Sequence, residues 1–462
     1  MMAKTYTQDM TKGNPMVLLL KFTWPMLIGN LFQQLYSMVD TMVVGQFVGS
    51  NELGAVGSTG SISFLIFSLS FGLANGIGII ISQFFGANEQ DKVKKAIATS
   101  FYVMGISAIL TTIVGVLAAR PVMELLLYKS PELVEDAVLY LQITCLGALA
   151  IALYNGVAFI LRGLGDSKTP LIFLIAACFM NIILDLLFVI VFDMEVLGVA
   201  LATVISQVSA AVGCIAFAWI KVPVFRMPIK EYVPDKGIFV QSIKVGVPVS
   251  LQSSMIAISC VALQGVVNGF GATIISAFTV VSRFEQLVQQ PFNSLASAVS
   301  TYTGQNIGAG NIKRVKEGFW AATTLTIAFS LCMLPVAWFG ADVIMRFFVS
   351  KPEVIQEGAR GIRITCFFYS ILGMIYVARS LLNGSGDVKF AMYSGFIEIV
   401  GRVGFAYLLA LIPGFGVLCI WFTSGLTWSL AGAFSCIRYA LGGWKEKSIV
   451  KRPQEAVIAP ES

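Results

Sequence analysis

The sequence predicts an all-α polytopic membrane protein, with twelve transmembrane helices in two parallel six-helix repeats. Three observations lead there. Of 462 residues, 57% are hydrophobic and only 12% are charged, with a mean hydropathy of +0.82; a soluble domain carries roughly 25% charged residues. Apolar stretches of about 20 residues, enough to cross the hydrocarbon layer as a helix, recur from end to end. The two halves of the chain also repeat one another at a near-constant offset. In lipid only helices and closed barrels satisfy their backbone groups. These runs are continuous rather than alternating, which excludes barrel strands.

Taken in order, the spans fall at 15–45, 54–85, 96–118, 137–161, 169–192, 197–220, 241–268, 272–304, 319–340, 359–382, 390–412 and 416–441. The first opens at Pro15 and carries Pro25. It is too long for the apolar core of a signal peptide and lacks a small-residue cleavage site, so it reads as a spanning helix. The second and eighth end at Gly86-Ala87-Asn88 and Gly308-Ala309-Gly310, where glycine tolerates a positive φ. The fourth and tenth lead into Gly163-Leu164-Gly165-Asp166 and Gly384-Ser385-Gly386-Asp387, which read as short structural turns. Spans rich in glycine, such as Gly72, Gly76 and Gly78, suit close helix packing. Pro25 and Pro248 can each kink a span. Lys221 to Lys244, with Pro223, Pro228 and Pro234, reads as a linker between an N-terminal lobe at 1–220 and a C-terminal lobe at 245–445, with a tail at 446–462.

The repeat rests on four anchors. KSPELVEDAVLYLQITC (129–145) aligns with SKPEVIQEGARGIRITC (350–366), and LRGLGDSKT (161–169) with LNGSGDVKF (382–390), both at an offset of 221. SQFFGANEQDKVKKA (82–96) aligns with GQNIGAGNIKRVKEG (304–318) at 222, and Pro25 with Pro248 at 223. An even number of spans in each half makes the repeats parallel, which is a transporter architecture of two lobes around a cleft. The connections alternate in charge. One set holds Lys92, Lys94, Lys95, Arg162, Lys168, the linker's Lys221, Arg226, Lys230, Lys236 and Lys244, then Lys313, Arg314, Lys316 and Lys389, together with Lys4, Lys12, Lys445, Lys447, Lys451 and Arg452 near the termini. The other holds little beyond Arg120, Lys129, Arg346 and Lys351. The positive-inside rule therefore places both termini in the cytoplasm of a multi-pass plasma (inner) membrane protein. It also accounts for the net charge of +6 without nucleic acid.

Several function classes drop out. The chain has no histidine, the commonest general base and metal ligand. Its eight cysteines form no CxxC pair, so neither zinc nor a disulfide framework is indicated. No GxxxxGK[ST] loop is present for ATP-driven work. The chain does not read as an enzyme, and no cofactor is expected beyond a coupling ion.

The chemistry lies in the intramembrane charges, which are costly and so point to function. Asp40 follows LFQQLYSMV, and Asp185 stands in FMNIILDLLFVIVFD. Asn181 is one turn before Asp185, Tyr36 one turn before Asp40, and Thr203 and Gln207 are one turn apart on the sixth span. If these helices converge, the lobe holds a pocket of carboxyl, amide and hydroxyl oxygens with no protein cation. An acid so placed is either protonated or binds a cation from outside, and the same oxygens serve H⁺ or Na⁺. The second half does not repeat the site, because Asp40 maps to Leu263, Asn181 to Arg402 and Asp185 to Ala406. Arg402 with Glu398 forms an i,i+4 pair, and Arg283 and Glu285 lie in the eighth span. These four read as a structural ion-pair network, with substrate contact as the minority view.

With Pro25 through Asp40 and Gly45, Gln83-x-x-Gly86-Ala87 and its partner Gln305-x-x-Gly308-Ala309, LRGLGD, NIILD and GVALATVISQ, the chain resembles the multidrug and toxic compound extrusion (MATE) transporters over almost its whole length. The resemblance implies V-shaped lobes that export organic, often cationic, compounds in exchange for H⁺ or Na⁺. It places a cation site of the DinF-type branch on Asp40, Asn181, Asp185 and Thr203, supported by Tyr36 and Gln207. The NorM-type branch adds acids in the seventh and tenth spans. Here VPVSLQSSMIAISCVAL and TCFFYSILGMIYVA hold none. Phe32, Tyr36, Met38, Met42, Met255, Phe278 and Tyr369 are candidates for an adaptable cleft, although such spacing is equally that of packing. The expected partners are a small organic molecule and the bilayer, with the chain a monomer. The rival reading is a flippase for a lipid-linked saccharide or cell-wall precursor, which would need a strongly cationic cleft.

Overall fold

Each apolar run becomes a helix, and the local signals set where it starts. In the computed structural model, residues 7–128 and 130–450 are described. Lys4, Lys129, Lys451 and Arg452, assigned above to the two sets of loops, lie outside them. The first half holds α1 (Pro15–Val43), α2 (Ser50–Gly86), α3 (Gln90–Leu126), α4 (Val134–Leu146), α5 (Ala148–Gly163), α6 (Lys168–Leu186) and α7 (Glu195–Lys221). The second holds α8 (Lys236–Asn268), α9 (Ala272–Gly308), α10 (Ile312–Arg346), α11 (Pro352–Thr365), α12 (Tyr369–Ser385), α13 (Val388–Ala410) and α14 (Leu418–Leu441).

Asn14 caps α1. Its side-chain oxygen accepts from the Met16 and Val17 amides at 2.9 and 3.4 Å, with Pro15 at the first helical position. Asn14→Ala should lower stability by ~1 kcal/mol, read as a small drop in melting temperature in detergent.

The halves match in detail. The fourth span of the first half breaks at Gly147 into α4 and α5, which meet at 50°. Its counterpart breaks at a 3₁₀ turn, Cys366–Phe368, between α11 and α12. Among the described residues, nine helices are long and apolar enough to cross a membrane by themselves, α11 and α12 together make a tenth span, and the bent α4–α5 pair an eleventh. The expected eighth span, α9, fails that test because Arg283, Glu285, Gln286, Gln289, Gln290 and Asn293 lie along it. It is nevertheless a continuous helix from Ala272 to Gly308, packed against α1, α2, α11 and α12. Polar residues can stay in such a helix when they face protein or a cavity rather than lipid.

The linker is shorter than the sequence suggests. Lys236 to Lys244 already belong to α8, capped by Asp235, whose carboxylate accepts from the Ile238 amide at 2.9 Å. The remaining 222–235 segment is not a loose tether. Phe225 and Met227 are buried, and Tyr232 stacks on Trp219. At the loop end that carries Lys92, Arg162, Lys313 and Arg314, the first helix of each half leans on the other half. Met10, Leu19 and Phe22 pack with Val299, Phe319 and Trp444. Ile238, Val245 and Val249 pack with Leu73 and Ile77.

Candidate cation site in the N-terminal lobe

Two π turns frame the site. Asp40 lies one turn before the π segment Val44–Val48, and Asp185 just before the π segment Leu187–Val191. Such turns are rare and occur mostly where function requires a local change of register. Here they contact one another. Val43, Val44, Val189 and Val199 form an apolar cluster over this end of the pocket.

Below that cluster side chains of α1, α4, α6 and α7 come together. The carboxyl groups of Asp40 and Asp185 come within hydrogen-bonding reach of each other. Asp185 is fully buried and Asp40 half-buried. The Asn181 carboxamide, oriented so that both ends find complementary partners, donates to Asp185 Oδ2 at 2.9 Å and accepts from the Thr203 amide at 3.2 Å. The Tyr36 and Thr203 hydroxyls share a hydrogen bond of 3.3 Å. Among the described residues, no salt bridge reaches either acid. One oxygen of each, Oδ1, is buried without a hydrogen-bond partner.

Two details differ from the sequence reading. Gln207 is half-buried, and no hydrogen bond among the described residues ties it to the cluster. Tyr140 of α4, which the sequence reading passed over, stands beside Asp40 and Asp185 and within reach of the Thr203 hydroxyl. Its only sequence signal was a hydroxyl-bearing aromatic in a helix whose counterpart carries Gly361 at the equivalent position.

The C-terminal lobe is built differently. Glu398 binds Arg379 of α12 in a close ion pair and Arg402 at 3.8 Å, and all three are buried. Arg379 also donates to Ser394 at 3.0 Å, and Arg402 to the Cys260 sulfur at 2.7 Å. The expected Glu398–Arg402 pair is therefore present, but Arg379, absent from the sequence reading, is the closer partner. Glu285 faces Thr365 and the field of Arg402. Arg283 departs from expectation. It is exposed, and no ion pair involves it among the described residues, because it lies on the opposite side of α9 from buried Val281 and Val288. Of the cleft candidates, Phe278 stacks on Trp421, Tyr369 is fully buried, and Phe32 tilts against Phe179. Met38 and Met42 are exposed and Met255 is half-buried.

Comparison with known proteins agrees with the duplicated plan. The MatE family model matches twice, at residues 25–187 and 248–408. The chain belongs to the MatE family. Among MatE relatives, Probable multidrug resistance protein YpnP of Bacillus subtilis is 31% identical over 440 residues, covering 95% of this chain and 97% of the relative. The Multidrug export protein MepA of Staphylococcus saprophyticus is 25% identical, covering 89% of each. A solved structure described as an outward-facing conformation of a multidrug resistance MATE family transporter of the MOP superfamily superposes with a TM-score of 0.86. At 22% identity, covering 95% of this chain and 98% of that one, it speaks to the fold alone: twelve helices in two lobes. Membership of MatE makes the chain a multi-pass membrane transporter, not an enzyme, and ion coupling rather than a cofactor serves such transporters.

Proposed function

We propose that this chain is a secondary antiporter that exports organic, mainly cationic compounds in exchange for H⁺ or Na⁺. The observation that carries the proposal is the pair of neighbouring carboxyl groups, Asp40 and Asp185, with no basic partner among the described residues. Two bare carboxylates side by side repel, so the pair persists by sharing a proton or by holding a cation. Asp40, Asn181, Asp185 and Thr203 offer the carboxyl, amide and hydroxyl oxygens that either ion needs, in the manner of the DinF-type branch. Tyr36 and Tyr140 close the shell. Loading the pair neutralises the lobe and weakens its attraction for a cationic compound. Ion and export substrate then favour different arrangements of the lobes, which is the requirement for coupling.

In this reading the lobes, residues 1–220 and 245–445, rock about the cleft between them. Both termini and the basic loops face the cytoplasm of the inner membrane, and a monomer suffices. The names of the MatE relatives, multidrug resistance and multidrug export proteins, support a broad organic substrate range. A flippase for lipid-linked saccharides would need free cations for a pyrophosphate. Arg379 and Arg402 are committed to Glu398, which leaves Arg283 as a single cation in α9 without an ion pair among the described residues, short of the cluster that alternative needs. The test is transport of a cationic dye in proteoliposomes with a proton gradient or a sodium gradient imposed separately. One of the two should drive export. Transport of an anionic lipid precursor and no dye movement under either gradient would overturn the proposal.

A further inference from the structure

Two glutamines, Gln83 of α2 and Gln305 of α9, are fully buried at the basic end of the protein and are related by the 222-residue repeat offset. Each satisfies both ends of its amide in the opposite half of the chain. Gln83 donates to the Gly384 carbonyl at 2.8 Å and accepts from the Ile449 amide at 2.7 Å. Gln305 donates to the Gly163 carbonyl at 3.0 Å and accepts from the Met10 amide at 2.8 Å. Gly163 and Gly384 are repeat equivalents at the ends of α5 and α12, where helix carbonyls lack intrahelical partners. The turns read from sequence as purely structural are thus the sockets for these two side chains.

The backbones interlock in the same symmetric way. A methyl group on Gly86 would collide with the Gln305 carbonyl, and one on Gly308 with the Gln83 carbonyl. The chain ends complete the arrangement. Segment 8–13 lies over the first-lobe turn, where the Gln8 amide donates to Leu164 O at 3.1 Å, and is held from the second lobe by Arg314, which donates to Gly13 O at 2.9 Å. Lys447 lies over the second-lobe turn at Gly386, as Gln8 lies over Gly165. Those two glycines have φ of +94° and +91°. Among the described residues, side-chain hydrogen bonds between the lobes run from this end as far as Asn30–Ser294 and Ser68–Ser254. They go no further toward the π turns.

We infer that Gln83 and Gln305 are the paired pins of a gate that closes the basic end of the transporter, each socketed in the Gly-x-Gly-Asp turn of the opposite lobe and strapped by a chain terminus. The inference builds on the alternating-access reading above and names the residues that set its conformational balance. Parting the lobes at this end withdraws both amides together, because each pin belongs to one rigid lobe and each socket to the other. Buried amides without partners are costly, so the pins hold the closed state until water can enter and replace the lost bonds.

The test is amide hydrogen exchange on the full-length protein in detergent, comparing wild type with Gln83→Ala and Gln305→Ala. Each single variant should speed exchange about ten-fold at both turns, residues 163–169 and 384–390. A merely local role would loosen only the turn that lost its partner. Gly86→Ala, which removes no hydrogen-bonding side chain and acts as a wedge, should do the same. Any variant not recovered monodisperse is replaced by Gln83→Asn or Gln305→Asn, whose shorter stems keep both polar ends but miss the socket. Acceleration confined to the variant's own socket, or absent at both, overturns the gate. If dye transport fails in the wild type while both turns accelerate together, the gate stands and the antiport reading fails.

Discussion

Asp185→Asn should reduce gradient-driven export by on the order of a hundred-fold while leaving the protein inserted and folded. The amide occupies the same space between Asn181 and Asp40 but can neither take up a proton nor supply an anionic oxygen. Replacing one of two neighbouring acids removes their mutual repulsion, so stability in detergent should change by no more than ~1 kcal/mol. Asp40→Asn should act in the same direction with a smaller loss, because Asp40 is half-buried and leaves the fully enclosed Asp185 in place. The measurement is dye efflux from proteoliposomes under the driving gradient, with melting curves on the same preparations. Export at the wild-type rate by either correctly inserted variant would remove the carboxyl pair from the mechanism.

The candidate site was legible because lipid makes ionisable residues conspicuous. An acid such as Asp185 in a run like NIILDLLFVIV has few structural excuses, and helical spacing places Asn181 beside it without any tertiary knowledge. Tyr140 was not legible, since an aromatic in an apolar helix looks like packing until α4 is seen to face α7. Arg379 was missed for the opposite reason. It lies near the end of the expected tenth span, three residues before LNGSGD, where a charge close to a helix end is unremarkable, and only the fold turns it inward onto Glu398. The repeat offset was legible, and it placed Gln83 opposite Gln305 in the alignment. That their amides cross between lobes follows from how the two halves lean together, which no spacing within one half encodes. The same limit applies to α9, whose polar stripe weakens its hydropathy although the helix packs against α1, α2, α11 and α12.

Glu398→Ala should be the most damaging substitution in the second lobe. Glu398 is the shared anion of Arg379 and Arg402, all three buried. Removing it leaves two guanidinium groups in a low-dielectric lobe with Ser394 and Cys260 as hydrogen-bond partners and only the more distant Glu285 acting on Arg402. Breaking a buried ion pair from one side costs ~3–5 kcal/mol, a large part of the total stability of a folded domain. Poor recovery of monodisperse protein and a strongly lowered melting temperature are expected, with Glu398→Gln intermediate because its carbonyl still accepts one hydrogen bond. Replacing all three residues by methionine should restore most of the stability, since well-packed apolar groups often substitute for a buried charged cluster without loss. Gradient-driven export by that triple variant would separate the two lobes chemically: acids left unpaired where an ion must come and go, and acids bound to arginine where the lobe needs only to hold its shape. Loss of export in a stable triple variant would instead give Glu398 a part in coupling, and the division between the lobes would fail.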